Sequence, residues 1–296
     1  MPIQTKRRPR WLKVPMPAGK NFNDVRALVK AKRLHTVCEG ARCPNVGECW
    51  GRRTATFMIL GNICTRNCRF CAIESACPQP VDEHEPERVA DAVRALSLRY
   101  AVVTSVTRDD LADGGAQLFA ETIRRIKMNA PNCKVEVLIP DFQGSRAALK
   151  LVLDALPDVL NHNLETVSRL YPIVRPQADY QRSLQLLYEA KQLGALTKSG
   201  IMLGLGETLA EIRLAMRDLR DVKCDILTLG QYLQPTIKHL PIDRFVTPQE
   251  FDLLRDEGLE MGFKLVESGP LVRSSYHADH AAALNPIQTI EDTSAL

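Results

Sequence analysis

The chain has 296 residues, 45% of them apolar and 25% charged, with a net charge of +4. That length buries a sizeable core, so nine cysteines are not needed as disulfide staples, and their odd number excludes a complete disulfide framework. No apolar run approaches the roughly 20 residues that span a bilayer, and no signal-peptide core is expected at the N-terminus.

The charge is unevenly placed. Residues 1–33 hold ten Lys or Arg, from Lys6 to Arg33, against the single acid Asp24, a local charge of +9. The remainder carries 29 basic and 34 acidic residues, or −5. The basic segment reads either as a solvated arm or as an electrostatic handle for an acidic protein partner. No recognition module or aromatic-interleaved basic patch points to nucleic acid. Pro2, Pro9, Pro15 and Pro17 keep the start of the chain from forming a long helix. A helix is expected from an N-cap at Asn23 to about Lys32, with Val25, Leu28 and Val29 on one face. Cys38, Cys43 and Cys49 follow, spaced C-x4-C-x5-C, on an expected loop punctuated by Gly40, Pro44 and Gly47.

From about residue 54, short apolar runs alternate with amphipathic helical patterns. Strands are expected at 56–60, 101–104, 135–139, 159–161, 199–203 and 225–229. Val89, Ala92, Val93 and Leu96 fall at helical spacing. Ile212, Ala215, Met216 and Leu219 do the same behind a capping box of Thr208 and Glu211. Thr247 and Glu250 form a second box, with Pro248 at the first helical position. Residues 263–267 read as one more strand outside the repeat. Six strand–helix alternations predict a parallel sheet, too few to close an eight-stranded barrel, so a partial, open barrel is expected. In such sheets ligands sit at the carboxyl ends of the strands. Cys64, Cys68 and Cys71, spaced C-x3-C-x2-C, follow the first strand at that end.

Thiolates are soft ligands that select zinc, Cu(I) or iron–sulfur clusters. A closed structural zinc site takes four protein ligands, whereas each triplet here supplies three. Three cysteines on an eight-residue loop suit a cubane cluster with one iron open to another ligand. A structural zinc loop and an electron-transfer cluster are the alternative readings. Cys77, Cys133 and Cys224 match neither triplet and read as structural, since free cysteine usually behaves as a small buried hydrophobe. His84, His162 and His277 are not at ligand spacing. Gly204 and Gly206 form only a weak glycine pattern.

Residues 64–71, CTRNCRFC, with Phe70 before the last cysteine, resemble the cluster loop of the radical S-adenosylmethionine (SAM) enzymes. Six further segments are similar to lipoyl synthases within that superfamily. They are WLKVPMPAGKNF (11–22), CEGARCPNVGECW (38–50), TSVTRDDLADGGA (104–116), NHNLETV (161–167), QYLQPT (231–236) and GPLVRSSYHAD (269–279). The resemblance runs from about residue 9 to about residue 280.

It implies an α/β fold, a partial open (β/α)6 barrel of radical-SAM type at 53–262. An N-terminal extension at 1–52 carries the first triplet, and a C-terminal extension at 263–296 carries the RSSY segment. By the resemblance, Cys64, Cys68 and Cys71 ligate a [4Fe–4S] cluster whose open iron chelates SAM for reductive cleavage. Phe70 would pack on the adenine, Gly114 and Gly115 would let the backbone approach SAM, Asn163 and Glu165 would bond its ribose, and Arg175 would pair with its carboxylate. Each of these also has a plain reading: packing, turn glycines, a helix cap, a salt bridge. Cys38, Cys43 and Cys49 would ligate an auxiliary [4Fe–4S] cluster with Ser275 as fourth ligand and Ser274 as the alternative. Arg273 and Tyr276 of the same segment are implied to be catalytic.

The implied activity is that of a sulfurtransferase. It would insert two sulfur atoms, drawn from the auxiliary cluster, at C6 and C8 of an octanoyl-lysine. The carrier would be a lipoyl domain of a 2-oxoacid dehydrogenase or the glycine-cleavage H protein. An electron donor and a cluster-repair protein are implied partners, neither nucleic acid nor membrane is, and the expected compartment is the cytoplasm. Another radical-SAM enzyme with an auxiliary cluster, or a non-catalytic iron–sulfur electron carrier, are the alternatives.

Overall fold

The computed structural model describes residues 7–14, 16–41, 43–52, 54–276, 278–282 and 284; Lys6 of the basic segment, His277 and residues 285–296 lie outside the described residues. Helix α1 is Lys20–Ala31. It starts earlier than expected, because Gly19 takes φ 108° and caps it, and Asn23 donates its backbone N–H to Gly19 O. Val25 and Val29 are buried, as the periodicity predicts. Strand β1 (His35–Thr36) follows. Two short helices come next, α2 (Val37–Gly40) and α3 (Val46–Gly51). Cys38 and Cys49 therefore lie on helices, and only Cys43 occupies a loop, which corrects the expected loop for all three. Thr36 caps α2 by accepting from Glu39 N. Fully buried Trp50 anchors α3, its ring 5.3 Å from that of Phe22.

Strand β2 (Ala55–Ile59) opens the alternating part of the chain. The two-residue strands β3 (Ile63–Cys64) and β4 (Glu74–Ser75) pair with each other in a separate small sheet. Then come α4 (Glu85–Ala95), β5 (Tyr100–Ser105), α5 (Ala116–Asn129), β6 (Lys134–Leu138), α6 (Arg146–Leu153) and β7 (Val159–Asn161). After α7 (Tyr171–Val174) and α8 (Tyr180–Gln192) follow β8 (Thr197–Leu203), α9 (Leu209–Asp221), β9 (Ile226–Gln231), α10 (Pro248–Glu260), β10 (Leu265–Gly269) and α11 (Ala278–Ala282). Both predicted capping boxes are formed.

The main sheet runs β1-β2-β5-β6-β7-β8-β9-β10. Only the β1–β2 pair is antiparallel; every other neighbouring pair is parallel. All six expected strands are present. The strand read as lying outside the repeat is β10, and it belongs to the sheet: α10 carries the chain back and β10 pairs in parallel with β9. Strands β1 and β10 end the sheet, so the barrel stays open, as six to seven units require.

Alternation along the strands sorts two faces. Phe57, Ile59, Val103 and Val137 pack outward in one core with α4, α5 and α6. Ile201, Leu203, Leu227 and Leu229 pack in a second with α9 and α10. The inner face is polar in the middle. Glu136 and Lys198, 0% and 2% exposed, pair at 3.0 Å; Tyr100 Oη and Asn161 Nδ2 also donate to Glu136. Buried charges need such complete pairing. Below them Ala278 of α11 packs on Tyr100 and Val102, so the C-terminal segment enters the barrel.

Glu85 begins α4 and is buried, and its carboxylate accepts from Leu60 N at 2.7 Å, just beyond β2. Burial pushes this carboxyl up to about 7. Between the ordinary carboxylate value and 7, the unfolded chain is ionised there while the folded chain keeps its proton. Stability is then full at low pH and declines as pH rises through that window, by about 3 kcal/mol for a shift of this size. Glu85→Gln, which retains an acceptor for Leu60 N, should flatten this decline. Melting temperatures of the metal-free protein from pH 5 to 8 check it; an unchanged slope in the variant would contradict it.

Candidate active site

The CTRNCRFC loop leaves the carboxyl end of β2 and is clamped from three sides. The segment after β5 holds its start: Thr65 N donates to Thr107 O and Asp109 N to Thr65 Oγ1. Arg66, 4% exposed at its side chain, pairs with Asp109 at 2.6 Å and with fully buried Asp141 at 2.6 Å. Burial alone would raise the Asp141 carboxyl, but the Arg66 hydrogen bond and charge outweigh it and hold it at about 2. The middle is held by Arg69 N donating to Val174 O and Asn67 N to Gln177 Oε1. The end is held by His239, whose Nε2 lies 2.8 Å from Cys71 O while its Nδ1 faces Thr236 Oγ1 at 2.8 Å. A carbonyl only accepts, so Nε2 carries a proton. Backbone N–H groups of Arg66 and Thr107 point at Cys64 Sγ, 3.4 and 3.3 Å away.

The first triplet meets the C-terminal segment. Asn45 Nδ2 donates to Leu271 O at 2.6 Å, Thr56 Oγ1 to Ser275 Oγ at 2.9 Å, and Tyr276 Oη to Glu48 at 3.1 Å. These bonds join parts of the chain more than 200 residues apart. Gly230 of β9 lets the segment through: a Cβ there would collide with Val272 O. Thr56 N and the Trp50 indole, whose Nε1 has no other partner among the described residues, face Cys38 Sγ and favour its thiolate. Ser275 is thus one hydroxyl from Thr56, which itself touches Cys38. Arg273 lies beside Cys43 and favours that thiolate. Its guanidinium donates to Val272 O, and burial depresses its pKa. Ser274 is turned the other way, accepting from Asn163 Nδ2 at 2.7 Å.

Within each triplet the thiols are near enough to repel one another as anions. Burial first, then the neighbouring thiols, pushes Cys38 up to about 11, and Cys49 and Cys71 to about 12. Cys68 is pushed up to about 11 by burial, against the nearby Arg175. Among the described residues no three His, Cys, Asp or Glu side chains converge on a single metal ion. A cubane asks for something else, one thiolate at each of three irons. Buried, mutually repelling thiols are what a multiply charged cation centre would deprotonate and stabilise. Both triplets fit that demand.

The residues implied to contact SAM sit on loops and helix ends: Phe70 in the cysteine loop, Gly114 and Gly115 before α5, Asn163 and Glu165 after β7, and Arg175 after α7. Phe70 is half-buried against the core that contains Leu164. Gly115 has φ 90° and caps α5, and a Cβ there would collide with Leu60; a Cβ on Gly114, φ 62°, would collide with the Phe142 ring. Their glycine character thus has a packing reason. Asn163 Nδ2 also donates to Glu165 Oε1 at 3.0 Å, and Asn163 Oδ1 is buried without a partner among the described residues. Glu165 has φ 67°, a strained backbone for a non-glycine residue, held by its N–H to Gly200 O and its C=O from Met202 N. Burial raises its carboxyl. Arg175 spends Nη1 on the carbonyls of Asn163 and Leu164, while its buried Nε has no partner among the described residues.

Of the other singled-out residues, Cys133 and Cys224 are buried as expected. Cys77 is exposed, which corrects the expectation of burial: it lies on the surface segment after β4. Both ring nitrogens of His162 are taken, by Ile139 O and Ser183 Oγ, so it has none left for a metal. The clamp residues Arg66, Asp109, Asp141 and His239 were not anticipated. Asp109 lies in TSVTRDDLADGGA and Thr236 in QYLQPT, so the motifs carried the signal without its reason.

A family model described as the radical SAM superfamily matches residues 58–219, and one for the N-terminal domain of lipoyl synthase matches residues 3–43. The chain is 61% identical over 273 residues to a lipoyl synthase of Rubrobacter xylanophilus, covering 92% of this chain and 85% of that protein. It is 58% identical over 282 residues to one of Caldanaerobacter subterraneus subsp. tengcongensis, covering 95% and 99%. Among solved structures, methylornithine synthase aligns over 83% of this chain and 81% of its own, with TM-score 0.53 and 16% identity. The FeFe-hydrogenase maturase of Carboxydothermus hydrogenoformans aligns over 89% and 79%, with TM-score 0.56 and 14% identity. These two share the fold; the sequence relatives carry the assignment, and the chain belongs to the lipoyl synthase family of the radical SAM superfamily.

Proposed function

We propose that the chain inserts two sulfur atoms at C6 and C8 of an octanoyl-lysine held on a carrier domain, forming the lipoyl group. Membership of the superfamily brings a [4Fe–4S] cluster and SAM. We assign Cys64, Cys68 and Cys71 to that cluster, and Cys38, Cys43, Cys49 and Ser275 to an auxiliary one. When bound, the first supplies a hydrogen-abstracting carbon radical from SAM, and the second supplies sulfur. Such a radical is needed because no protein acid or base removes an unactivated alkyl hydrogen. Two hydrogens removed imply two SAM molecules per product.

The chain's own residues then have distinct tasks. Arg66, Asp109, Asp141 and His239 hold the cysteine loop in one geometry. Arg175 and Glu165 place a cation and a carboxyl near Cys68. Arg273 offsets negative charge beside Cys43. Ser275, a harder ligand than thiolate, would hold its iron less firmly, which suits a cluster that must give up sulfur. The observation that supports this reading most is the seating of Ser275 on Thr56, beside Cys38, 219 positions away in sequence. The carrier is a lipoyl domain of a 2-oxoacid dehydrogenase or the glycine-cleavage H protein. A low-potential electron donor and a cluster-repair protein complete the system, in the reducing cytoplasm that labile clusters need.

The test is anaerobic incubation of reconstituted protein with SAM, dithionite and an octanoyl-lysine peptide, read by mass spectrometry. Lipoyl peptide with methionine and 5′-deoxyadenosine is the expected result. SAM cleavage without sulfur insertion would point to another radical-SAM activity, and no cleavage at all to an electron carrier.

A further inference from the structure

The segment between β10 and α11 passes through the barrel from its carboxyl end to its amino end. Its entry is fixed at β9, where Val272 O occupies the space that a Cβ at Gly230 would take. Ser274 then meets Asn163, beyond the carboxyl end of β7, and Ser275 meets Thr56, the second residue of β2. Tyr276 N donates to Arg273 O at 2.8 Å, so the two serines are the central residues of a turn. The exit is fixed by α11. Ala278 packs with Tyr100 and Val102, and Ala281 with Val159, Leu196 and Ile226. Tyr100, Val159 and Ile226 are the first residues of β5, β7 and β9, and Leu196 directly precedes β8. Helix α11 therefore lies across the amino ends of four strands. His280 Nδ1, 2.7 Å from Glu267 Oε1 on β10, adds one more attachment. Both alanines are buried, so a larger side chain at either must displace α11 or its neighbours. The strands beneath are firm: Glu136, in register with Val102, is the buried partner of Lys198.

We infer that α11 is the anchor that positions Ser275 at the auxiliary site, with Ala278 and Ala281 as its positioning residues. The inference rests on the proposed role of Ser275 and adds what holds the serine in place. A single hydrogen bond to Thr56 does not offset the conformational freedom of a connecting segment; docking the segment at both ends removes that freedom. The geometry is local as well: Thr56, the partner of Ser275, is in register with Val102, on which Ala278 sits. A helix of five residues does not persist by itself, so α11 is formed by its docking. Neither large apolar core includes Ala278 or Ala281, so the barrel does not depend on them. Undocking α11 then releases Ser275 and leaves the loop of Cys64, Cys68 and Cys71 untouched.

The test undocks α11 in two different ways in the full chain. Ala278→Phe adds bulk against Tyr100, and Ala281→Asp puts a carboxylate among Val159, Leu196 and Ile226. In each, lipoyl product per 5′-deoxyadenosine should fall at least about tenfold while SAM is still cleaved, the range expected for loss of a group that orients a ligand. Two further readouts do not depend on turnover. In the metal-free protein, hydrogen exchange at Tyr276 N should accelerate at least about tenfold while the amides of β5 to β9 stay protected. In protein whose Cys64, Cys68 and Cys71 are replaced by Ala, the reduced auxiliary cluster of either variant should give the EPR spectrum of Ser275→Ala, not that of the unaltered segment. Full insertion in either variant, an unaltered EPR spectrum or exchange rate, or loss of SAM cleavage together with insertion would overturn the anchoring inference. Full insertion by Ser275→Ala would instead overturn the assignment of the serine, and the inference with it.

Discussion

Replacing Cys64, Cys68 and Cys71 together by Ala should abolish 5′-deoxyadenosine formation and leave about half of the wild-type iron and sulfide. The three thiols share one clamped loop. The loop is fastened by backbone bonds and by Arg66, not by the thiols, so the fold should survive their loss. The remaining iron should be bound by Cys38, Cys43 and Cys49. Their neighbours Asn45, Glu48 and Thr56 are secured by independent contacts to the C-terminal segment. Iron analysis and anaerobic SAM-cleavage assays check this. Undiminished cleavage in the triple variant would remove the radical-generating role from this loop.

The opposite uncoupling is expected at the other triplet. Ser275→Ala, combined with Ser274→Ala so that no neighbouring hydroxyl can substitute, should leave SAM cleavage in place. Lipoyl product should fall at least about 100-fold, more than the loss of a mere supporting partner usually costs. The two serines are not equivalent. Ser275 is bonded to Thr56 beside Cys38, whereas Ser274 is bonded to Asn163 on the other side of the barrel. Ser274→Ala alone should therefore retain most sulfur insertion, and Ser275→Ala alone should not. Product quantified against 5′-deoxyadenosine separates the outcomes. A fully active double variant would show that no serine of this segment serves the auxiliary site.

The parallel sheet was legible because its strands are near-continuous apolar runs and two of its helices announce themselves with capping boxes. What was illegible is short or distant. Helices α2 and α3 have four and six residues, too few for a period to show. Strand β1 has two residues and exists because β2 offers an edge. Strand β10 reads like the other strands, but only the crossover through α10 places it in the same sheet. The cysteine spacing revealed both triplets, and the RSSY segment its serines. Nothing in the spacing tells which serine turns toward the first triplet; Thr56 on β2 and Asn163 after β7 decide that. The clamp on the cysteine loop is equally non-local: Arg66 finds Asp141 75 positions on, and His239 reaches back 168 to Cys71. Cys77 was misplaced because the habit of free cysteine to be buried says nothing about a particular surface turn.

The central claim is that sulfur comes from the auxiliary cluster held by Cys38, Cys43, Cys49 and Ser275, while the radical arises at the cluster held by Cys64, Cys68 and Cys71. Its most direct test is a single-turnover reaction of protein reconstituted with heavy-isotope sulfide and assayed in buffer containing ordinary sulfide. The account predicts that both sulfur atoms of the lipoyl product carry the heavy isotope. Product bearing the buffer's light sulfur in that first turnover would contradict it.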